Sequence, residues 1–280
     1  MSRRLIYPAI LVGLAECSRA AASIVRSFNR NNKMVSLEIL AYDPTSLGIL
    51  CLRRRELLCH PGTIVTEVTL NHEFLMSSYL TESERALSST GVGLALENPH
   101  RPQENANGLR VLIGGLGLGY TAAEALKFDQ VDSVEVVEFL PEVIGWMQYG
   151  LIPLSAQLNA EPRLTVTLGD VYARVTARAT LPFDLIAIDV DHSPEDVLGT
   201  QSHGFYTVNG LQRVSNQLTP GGVLAIWSYA EDTPLLDTMK QVFDDVQTQQ
   251  VTVMNDLINE EQTDWLFFGR RRVNAANSAV

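Results

Sequence analysis

The chain alternates between strand-like and helix-like segments from residue 108 to residue 272. The strand-like segments are short runs of branched apolar residues that end in glycine or a polar residue. This alternation predicts an α/β fold, Rossmann-like, with a mostly parallel sheet and helices on both faces. The last two strand segments, TQQVTVMN and DWLFFGRR, have no helix-length segment between them, so the last strand is expected to be antiparallel.

A different pattern precedes this core. SLEILAY (36–42) and GILCLR (48–53) predict a β-hairpin, and TIVTEVTL (63–70) predicts a third strand. HEFLMSSYLTESERALSS (72–89) has the apolar spacing of a helix, which would link this small β segment to the core.

The chain is therefore expected to divide into three parts. Residues 1–107 would hold an N-terminal helix, the small β segment and the linking helix; residues 108–272 would form the Rossmann-like domain. Residues 273–280 would be a frayed tail. The apolar run 5–15 imitates a signal peptide but has charged residues where a cleavage site would lie, and it is too short to span a bilayer.

Composition excludes some functions. Charged residues make up 19% and hydrophobic residues 46% of the chain, an ordinary globular balance, and the net charge of -11 argues against nucleic acid as a partner. The cysteines, Cys17, Cys51 and Cys59, are odd in number and lack metal-site spacing, so reduced thiols and a cytoplasmic location are expected. Neither a metal nor a membrane partner is expected.

The first predicted core strand runs into the glycine-rich segment VLIGGLGLGY (111–120). Gly115, Gly117 and Gly119 form G-x-G-x-G, which lets a ligand approach the backbone before the next helix begins. Alternatively, Gly117, Gly119 and Ala122 fit the G-x-G-x-x-A fingerprint of dinucleotide-binding proteins. A glycine-rich turn without a ligand is the third interpretation.

Acids follow the next three predicted strands. Glu138 ends the second strand, where a carboxylate can bind ribose hydroxyls. Asp170 ends the third strand and Asp189 the fourth. Because ligands of open α/β sheets bind at the carboxyl ends of the strands, these acids favour an adenosine-containing ligand. Asp170 could instead be a helix N-cap.

In these motifs and in the segments FDLIAID, HGFY and LTPGGVLAIWS, the sequence resembles the spermidine/spermine-synthase-like branch of the class I S-adenosylmethionine-dependent methyltransferase superfamily. The resemblance implies a seven-stranded sheet and a donor that is S-adenosylmethionine or its decarboxylated form. It implies donor-binding roles for Gly115, Gly117, Gly119, Glu138, Asp170 and Val171. It also implies catalytic roles for Asp189 and Tyr206, and matches His72-Glu73 to a substrate-binding H-E motif.

Several positions depart from this family's pattern. Leu118 stands where aminopropyltransferases carry an aspartate that binds the donor's amine, and Asn71 stands where they carry a tyrosine. Arg53–Arg55 stand where the hairpin has an acidic tip. Fewer carboxylates and more arginines favour an intact donor, whose carboxylate an arginine could hold.

We therefore expect a methyl or similar alkyl group to be transferred to a small-molecule acceptor, an amine. Asp191 and His192 are further catalytic candidates, and Trp227 could form a wall of the acceptor pocket. The alternatives are a polyamine aminopropyltransferase and a non-catalytic protein that binds an adenosine ligand. The N-terminal segment is a candidate homodimer surface.

Overall fold

The computed structural model describes six stretches of the chain: residues 24–28, 34–101, 108–176, 181–190, 204–231 and 233–273. Several predictions fall outside them: the N-terminal helix before residue 24, nearly all of the tail 273–280, and the roles of Asp191 and His192.

An antiparallel sheet forms the N-terminal part. Its five strands lie in chain order: β1 (Ile24–Phe28), β2 (Met34–Thr45), β3 (Gly48–Glu56), β4 (Ile64–Leu70) and β5 (Glu73–Ser77). The predicted hairpin and third strand are confirmed as β2, β3 and β4. Residues 24–28 pair with β2, so any N-terminal helix ends before them.

The helix predicted over 72–89 is also wrong in its first ten residues. Asn71 and His72 have φ of 51° and 70°, so they form a two-residue turn of the kind that joins antiparallel strands. Asn71 Oδ1 accepts a hydrogen bond from the backbone N–H of Ile49 at 2.9 Å, which fixes the turn against β3. Residues from Glu73 onward form β5, and the helix α1 begins only at Glu82.

The second sheet confirms the predicted core. Its strands are β6 (Leu109–Gly114), β7 (Val131–Glu138), β8 (Leu164–Leu168), β9 (Phe183–Ile188), β10 (Leu218–Ser228), β11 (Phe243–Asn255) and β12 (Glu260–Arg271). Their order is β11-β12-β10-β9-β6-β7-β8. In this order, the neighbouring strands β10, β9, β6, β7 and β8 are all parallel. The last strand of the chain, β12, is antiparallel to both β10 and β11.

Helices cover both faces of this sheet. They are α1 (Glu82–Leu96), α2 (Tyr120–Ala125), α3 (Pro141–Gln148), α4 (Ser155–Ala160), α5 (Val171–Thr176), α6 (Val208–Ser215) and α7 (Thr233–Val242). Alternate residues of each strand enter different cores: Val111 and Ile113 pack with α1 to α4, and Leu112 packs with α5 to α7. None of the helices in the described ranges is long and apolar enough to cross a membrane.

The buried side chain of Asp184 joins the amino ends of three core strands. Its Oδ2 accepts a hydrogen bond from the N–H of Arg110 on β6 at 2.9 Å, and its Oδ1 accepts one from Thr219 Oγ1 on β10 at 3.1 Å. The Arg101 guanidinium lies 3.7 Å from the same carboxylate, which is 1% exposed. Asp184 therefore aligns β6, β9 and β10, and the opposite ends of β6 and β9 carry the glycine loop and Asp189.

We expect Asp184→Ala to lower the free energy of unfolding by roughly 2–4 kcal/mol, because it leaves buried donors without an acceptor. Asp184→Asn, which keeps one oxygen, should cost less. Urea denaturation measures both effects. Asp237→Ala on the exposed face of α7 is the control and should stay within about 0.5 kcal/mol of the parent protein. A loss as small as the control's would show that the carboxylate does not hold these strands.

Candidate active site

A cavity of about 130 Å³ lies at the carboxyl ends of the core strands, beneath the N-terminal sheet. Its polar wall comes from the core sheet and contains Gly115, Gly117, Glu138, Asp170 and Asp189. Its apolar wall includes residues of β3 to β5, of the adjoining turns and of α3: Leu47, Leu50, Val68, Leu70, Leu75, Met76, Val143 and Trp146. The structure therefore brings two of the three loop glycines and all three strand-end acids to one cavity.

The glycine loop has a backbone that only glycine adopts readily. Gly115, Gly117 and Gly119 have φ of 90°, 50° and 87°. A Cβ at Gly115 would lie 2.3 Å from the backbone oxygen of Asp189, and one at Gly119 would lie 2.4 Å from Leu158 Cδ1. A Cβ at Gly117 would lie 3.2 Å from Met76 Sδ of the covering sheet. Gly115 is thus required by packing against β9, and Gly117 keeps the loop bare where it faces the cavity.

Glu138 holds the shape of this loop. Its Oε2 accepts a hydrogen bond from the N–H of Leu116, and its Oε1 accepts one from the N–H of Leu140, each at 2.8 Å. Burial raises the pKa of the carboxyl, and the backbone N–H groups partly oppose that rise. The N–H groups of Phe139 and Gly117 also favour the ionised form, so the carboxylate is surrounded by backbone donors where it lines the cavity.

Asp170 has both properties that its sequence position suggested. Its Oδ1 accepts a hydrogen bond from the N–H of Tyr172 at 2.8 Å, which caps the start of α5, and the residue also lines the cavity. The next residue, Val171, is 5% exposed and packs against Gly114. Among the residues that the structure describes, Oδ2 of Asp170 accepts no hydrogen bond, so a capping role and a ligand-binding role are compatible.

Asp189 ends β9 beside the glycine loop. Its Oδ2 accepts a hydrogen bond from Thr121 Oγ1 at 2.6 Å, and its backbone N–H donates to Gly114 O at 3.0 Å. Burial and the negative charge of Asp264 raise the pKa of Asp189 to about 6, against the opposing effect of the Thr121 hydroxyl. The carboxyl therefore titrates near neutral pH, as a proton acceptor in catalysis must.

Two further carboxyl groups interact electrostatically with Asp189, and neither is among the candidates that the sequence predicts. Glu84 lies in the first turn of α1, where burial and the charge of Asp189 raise its pKa to about 8. Asp264 lies on β12, and burial raises its pKa too. No three metal-ligating side chains in the described ranges are placed to hold a metal ion.

Trp227 lies beside these acids rather than in the cavity wall. The indole N–H of Trp227 is close enough to Asp264 to favour the ionised form of that carboxyl. The same nitrogen is buried and makes no hydrogen bond of normal geometry within the described residues. The expectation that Trp227 faces the acceptor region thus remains a prediction.

The sequence contained signals for both missed acids. Thr81 and Glu82 precede Glu84 in a pattern typical of a helix N-terminus, which would have placed Glu84 in the first turn of α1. Asp264 precedes Leu266 and Phe268 at a spacing of two, so it was assignable to the core-facing side of its strand, where an acid is unusual.

The structure does not bring His72, Glu73 and Tyr206 into the cavity wall. His72 and Glu73 have exposed side chains at the β4–β5 turn, because this segment forms a hairpin instead of starting a helix. Tyr206 lies next to Tyr172, which does line the cavity, and the Oη atoms of the two residues are 3.4 Å apart. The substrate-binding role of His72-Glu73 and the catalytic role of Tyr206 therefore remain predictions, and residues of the described cavity wall do not include them.

Arg53–Arg55 do not form a hairpin tip. The turn lies between Thr45 and Gly48, and the arginines lie within β3. Arg53 Nε donates to Glu67 Oε2 at 2.9 Å, and Arg55 Nε donates to Glu67 Oε1 at 2.8 Å. Both guanidinium groups pair with the buried Glu67 carboxylate, and the cavity lining does not include either arginine, so they give no support to a donor carboxylate there.

Comparison by sequence finds relatives in two enzyme groups, although no family model matches the chain. The chain is 30% identical to putrescine N-methyltransferase 4 of Nicotiana tabacum over 118 residues. This match covers 42% of the chain and 29% of the relative. Over 140 residues it is 29% identical to a polyamine aminopropyltransferase of Prochlorococcus marinus (strain MIT 9515), covering 48% of each chain. The chain thus spans less than half the length of these relatives.

Comparison by structure finds the same fold over most of the chain. A spermidine synthase in complex with the transition-state analogue AdoDATO aligns with a TM-score of 0.63 at 16% identity, covering 90% of this chain and 81% of that one. Spermidine synthase from Thermotoga maritima aligns with a TM-score of 0.61 at 14% identity, covering 90% and 80%. The sequence relatives and the fold both fit the spermidine/spermine-synthase-like branch of the class I S-adenosylmethionine-dependent methyltransferase superfamily.

Proposed function

We propose that the chain is a transferase that moves a methyl or similar alkyl group from a sulfonium nucleoside of the S-adenosylmethionine type to an amine. The observation that carries this proposal is the convergence of Gly115, Gly117, Glu138, Asp170 and Asp189 on one cavity. The bare loop suits the methionine portion of the donor. Glu138 suits the ribose, and Asp170 with Val171 suits the adenine.

The donor supplies an electrophilic carbon bound to a positively charged sulfur. The acceptor nitrogen forms the new C–N bond with its lone pair, and the C–S bond breaks with its electron pair going to sulfur, which becomes a neutral thioether. A protonated amine has no lone pair until it gives up a proton, and Asp189 is the candidate acceptor of that proton because its pKa is raised to about 6. The rest of the catalysis is alignment of nitrogen with carbon.

An amine acceptor is supported by the carboxyl groups near the cavity. Asp189 and Asp264 place negative charge beside β9 and β12, and a protonated amine there would also favour ionisation of Glu84 of α1. Arg85, the residue after Glu84, pairs with Glu124 at 2.9 Å. Relatives named for putrescine and polyamines support the same class of acceptor.

The identity of the transferred group rests on Leu118. This side chain is 4% exposed and packs in the core, so it offers nothing to the ammonium of a decarboxylated donor. Arg53 and Arg55 bind Glu67, so these arginines do not favour the carboxylate of the intact donor. Methyl transfer is therefore the proposed reaction, and aminopropyl transfer is the alternative that the same acids and the aminopropyltransferase relatives support.

We expect S-adenosylmethionine to bind and NAD not to bind in titration calorimetry. Glu138→Ala should weaken donor binding by roughly 1–3 kcal/mol, because it removes the ribose acceptor and leaves the N–H groups of Leu116 and Leu140 unpaired. Glu135→Gln is the control: this residue lies on the same strand and pairs with Arg174, and its substitution should leave the dissociation constant unchanged. Tight NAD binding without donor binding would contradict the proposal, and an unchanged constant for Glu138→Ala would remove that residue from the site.

Mass analysis of products from each donor with putrescine, spermidine and other amines identifies the transferred group. We expect a methylated amine from the intact donor, and Asp189→Asn should reduce kcat by about 10²-fold or more. Aminopropylated products without any methylated product would establish the alternative transfer. Donor binding with no product from any acceptor would favour a non-catalytic adenosine-binding protein.

The raised pKa of Glu84 predicts how stability depends on pH. The folded protein holds this proton up to about pH 8, whereas an exposed glutamate loses it near pH 4.5, so burial of Glu84 should cost stability increasingly as pH rises between these values. Glu84→Gln removes this cost. Relative to the parent, the variant should gain roughly 1–3 kcal/mol in free energy of unfolding between pH 5 and pH 9, measured by urea denaturation.

Glu82→Gln is the matched control, because Glu82 is exposed in the same turn of α1. It should follow the pH profile of the parent protein. Parallel profiles for the parent and Glu84→Gln would mean that Glu84 is not protonated at neutral pH.

A further inference from the structure

The side chain of Thr121 makes a hydrogen bond that its position in α2 does not require. Thr121 is the second residue of α2 and is 4% exposed. Valine has nearly the same shape, so packing alone does not call for a hydroxyl. The hydroxyl lies 2.6 Å from Asp189 Oδ2, a length typical of an O–H donor bound to an ionised carboxylate.

Hydrogen bonds to neighbouring elements fix the backbone of both Thr121 and Asp189. The Thr121 carbonyl accepts a hydrogen bond from Ser88 Oγ of α1 at 2.5 Å, which fixes the start of α2. The Asp189 backbone is fixed by its N–H bond to Gly114 O and by the close approach of Gly115. The hydrogen bond from Thr121 therefore restricts the rotation that the Asp189 carboxyl would otherwise retain.

This restriction leaves one carboxylate oxygen for the cavity. Asp189 lines the cavity, and within the described ranges its Oδ1 accepts no hydrogen bond. Building on the function proposed above, we propose that Thr121 is a positioning residue: its hydroxyl occupies Oδ2 of Asp189 and so presents Oδ1 to the acceptor amine.

The same hydrogen bond affects the charge of Asp189. Burial and Asp264 of β12 favour the protonated carboxyl, Glu84 of α1 interacts with it as a further acid, and the Thr121 hydroxyl of α2 favours the ionised form. Without the hydroxyl, the opposing effects act alone, so the pKa of Asp189 must rise. A residue that only filled space would produce no such change.

Three variants test this role. Thr121→Val keeps the shape and removes the donor, Thr121→Ser keeps the donor and removes the methyl group, and Ser88→Ala weakens the α1–α2 contact without touching Asp189. Carbon-13 labelling of aspartate carboxyls, with Asp189→Asn to assign the signal, reports the titration of Asp189 without donor or acceptor. The pH profile of kcat for amine transfer reports its consequence.

We expect Thr121→Val to raise the Asp189 pKa by about one pH unit and to move the acid limb of kcat upward by the same amount. Thr121→Ser should restore both values, and Ser88→Ala should change only thermal stability. If Thr121→Val does not fold, Thr121→Ala replaces it. An unshifted titration in the folded variant, or an equal shift in Ser88→Ala, would overturn the proposal. Parent protein that transfers no group to any amine refutes the proposed function instead, whatever the titration shows.

Discussion

The candidate site depends on the hydrogen bonds that the Glu138 carboxylate accepts from the backbone. Because its two oxygens bind the N–H groups of Leu116 and Leu140, one side chain at the end of β7 holds the glycine loop after β6 and the turn that leads into α3. A buried carboxylate is costly unless such donors surround it. The interaction therefore fixes the loop before a ligand arrives and leaves Glu138 pointing into the cavity.

Packing between the two sheets then closes the cavity. Met76 of β5 lies over Gly117, and Trp146 Nε1 of α3 donates to Asp43 Oδ2 of β2 at 3.1 Å. The N-terminal sheet thus supplies an apolar cover, while the core sheet supplies the polar groups. Excluding water in this way strengthens electrostatic interactions inside the cavity, which matters for a site whose acids already have raised pKa values.

The carboxyl groups around Asp189 have raised pKa values, which bear on both acceptor binding and proton transfer in the proposed function. Desolvation raises the pKa of Glu84, Asp189 and Asp264, and their charges reinforce one another. A cationic acceptor would be drawn to this region, and at neutral pH a partly ionised carboxyl could accept its proton. Binding and proton transfer would then depend on the same electrostatic repulsion, with Thr121 favouring ionisation at one position.

The sequence by itself determined the core fold and three acids of the site. Strand and helix periodicity predicted the sheet, and Glu138, Asp170 and Asp189 had to meet because the carboxyl ends of neighbouring parallel strands share one edge. Only the tertiary structure decided what surrounds them. Glu84 and Asp264 come from elements distant in the chain, and their proximity to Asp189 arises from packing that no local period encodes.

The errors have the same physical origin. The segment after Asn71 has helical spacing, yet the left-handed turn at Asn71 and His72 and pairing with β4 make it a strand. Arg53 and Arg55 could have served a ligand, but they pair with the buried carboxylate of Glu67 on the neighbouring strand β4. Local sequence thus determined the elements and the ends of the strands, whereas pairing between distant segments decided which charges remain available to a ligand.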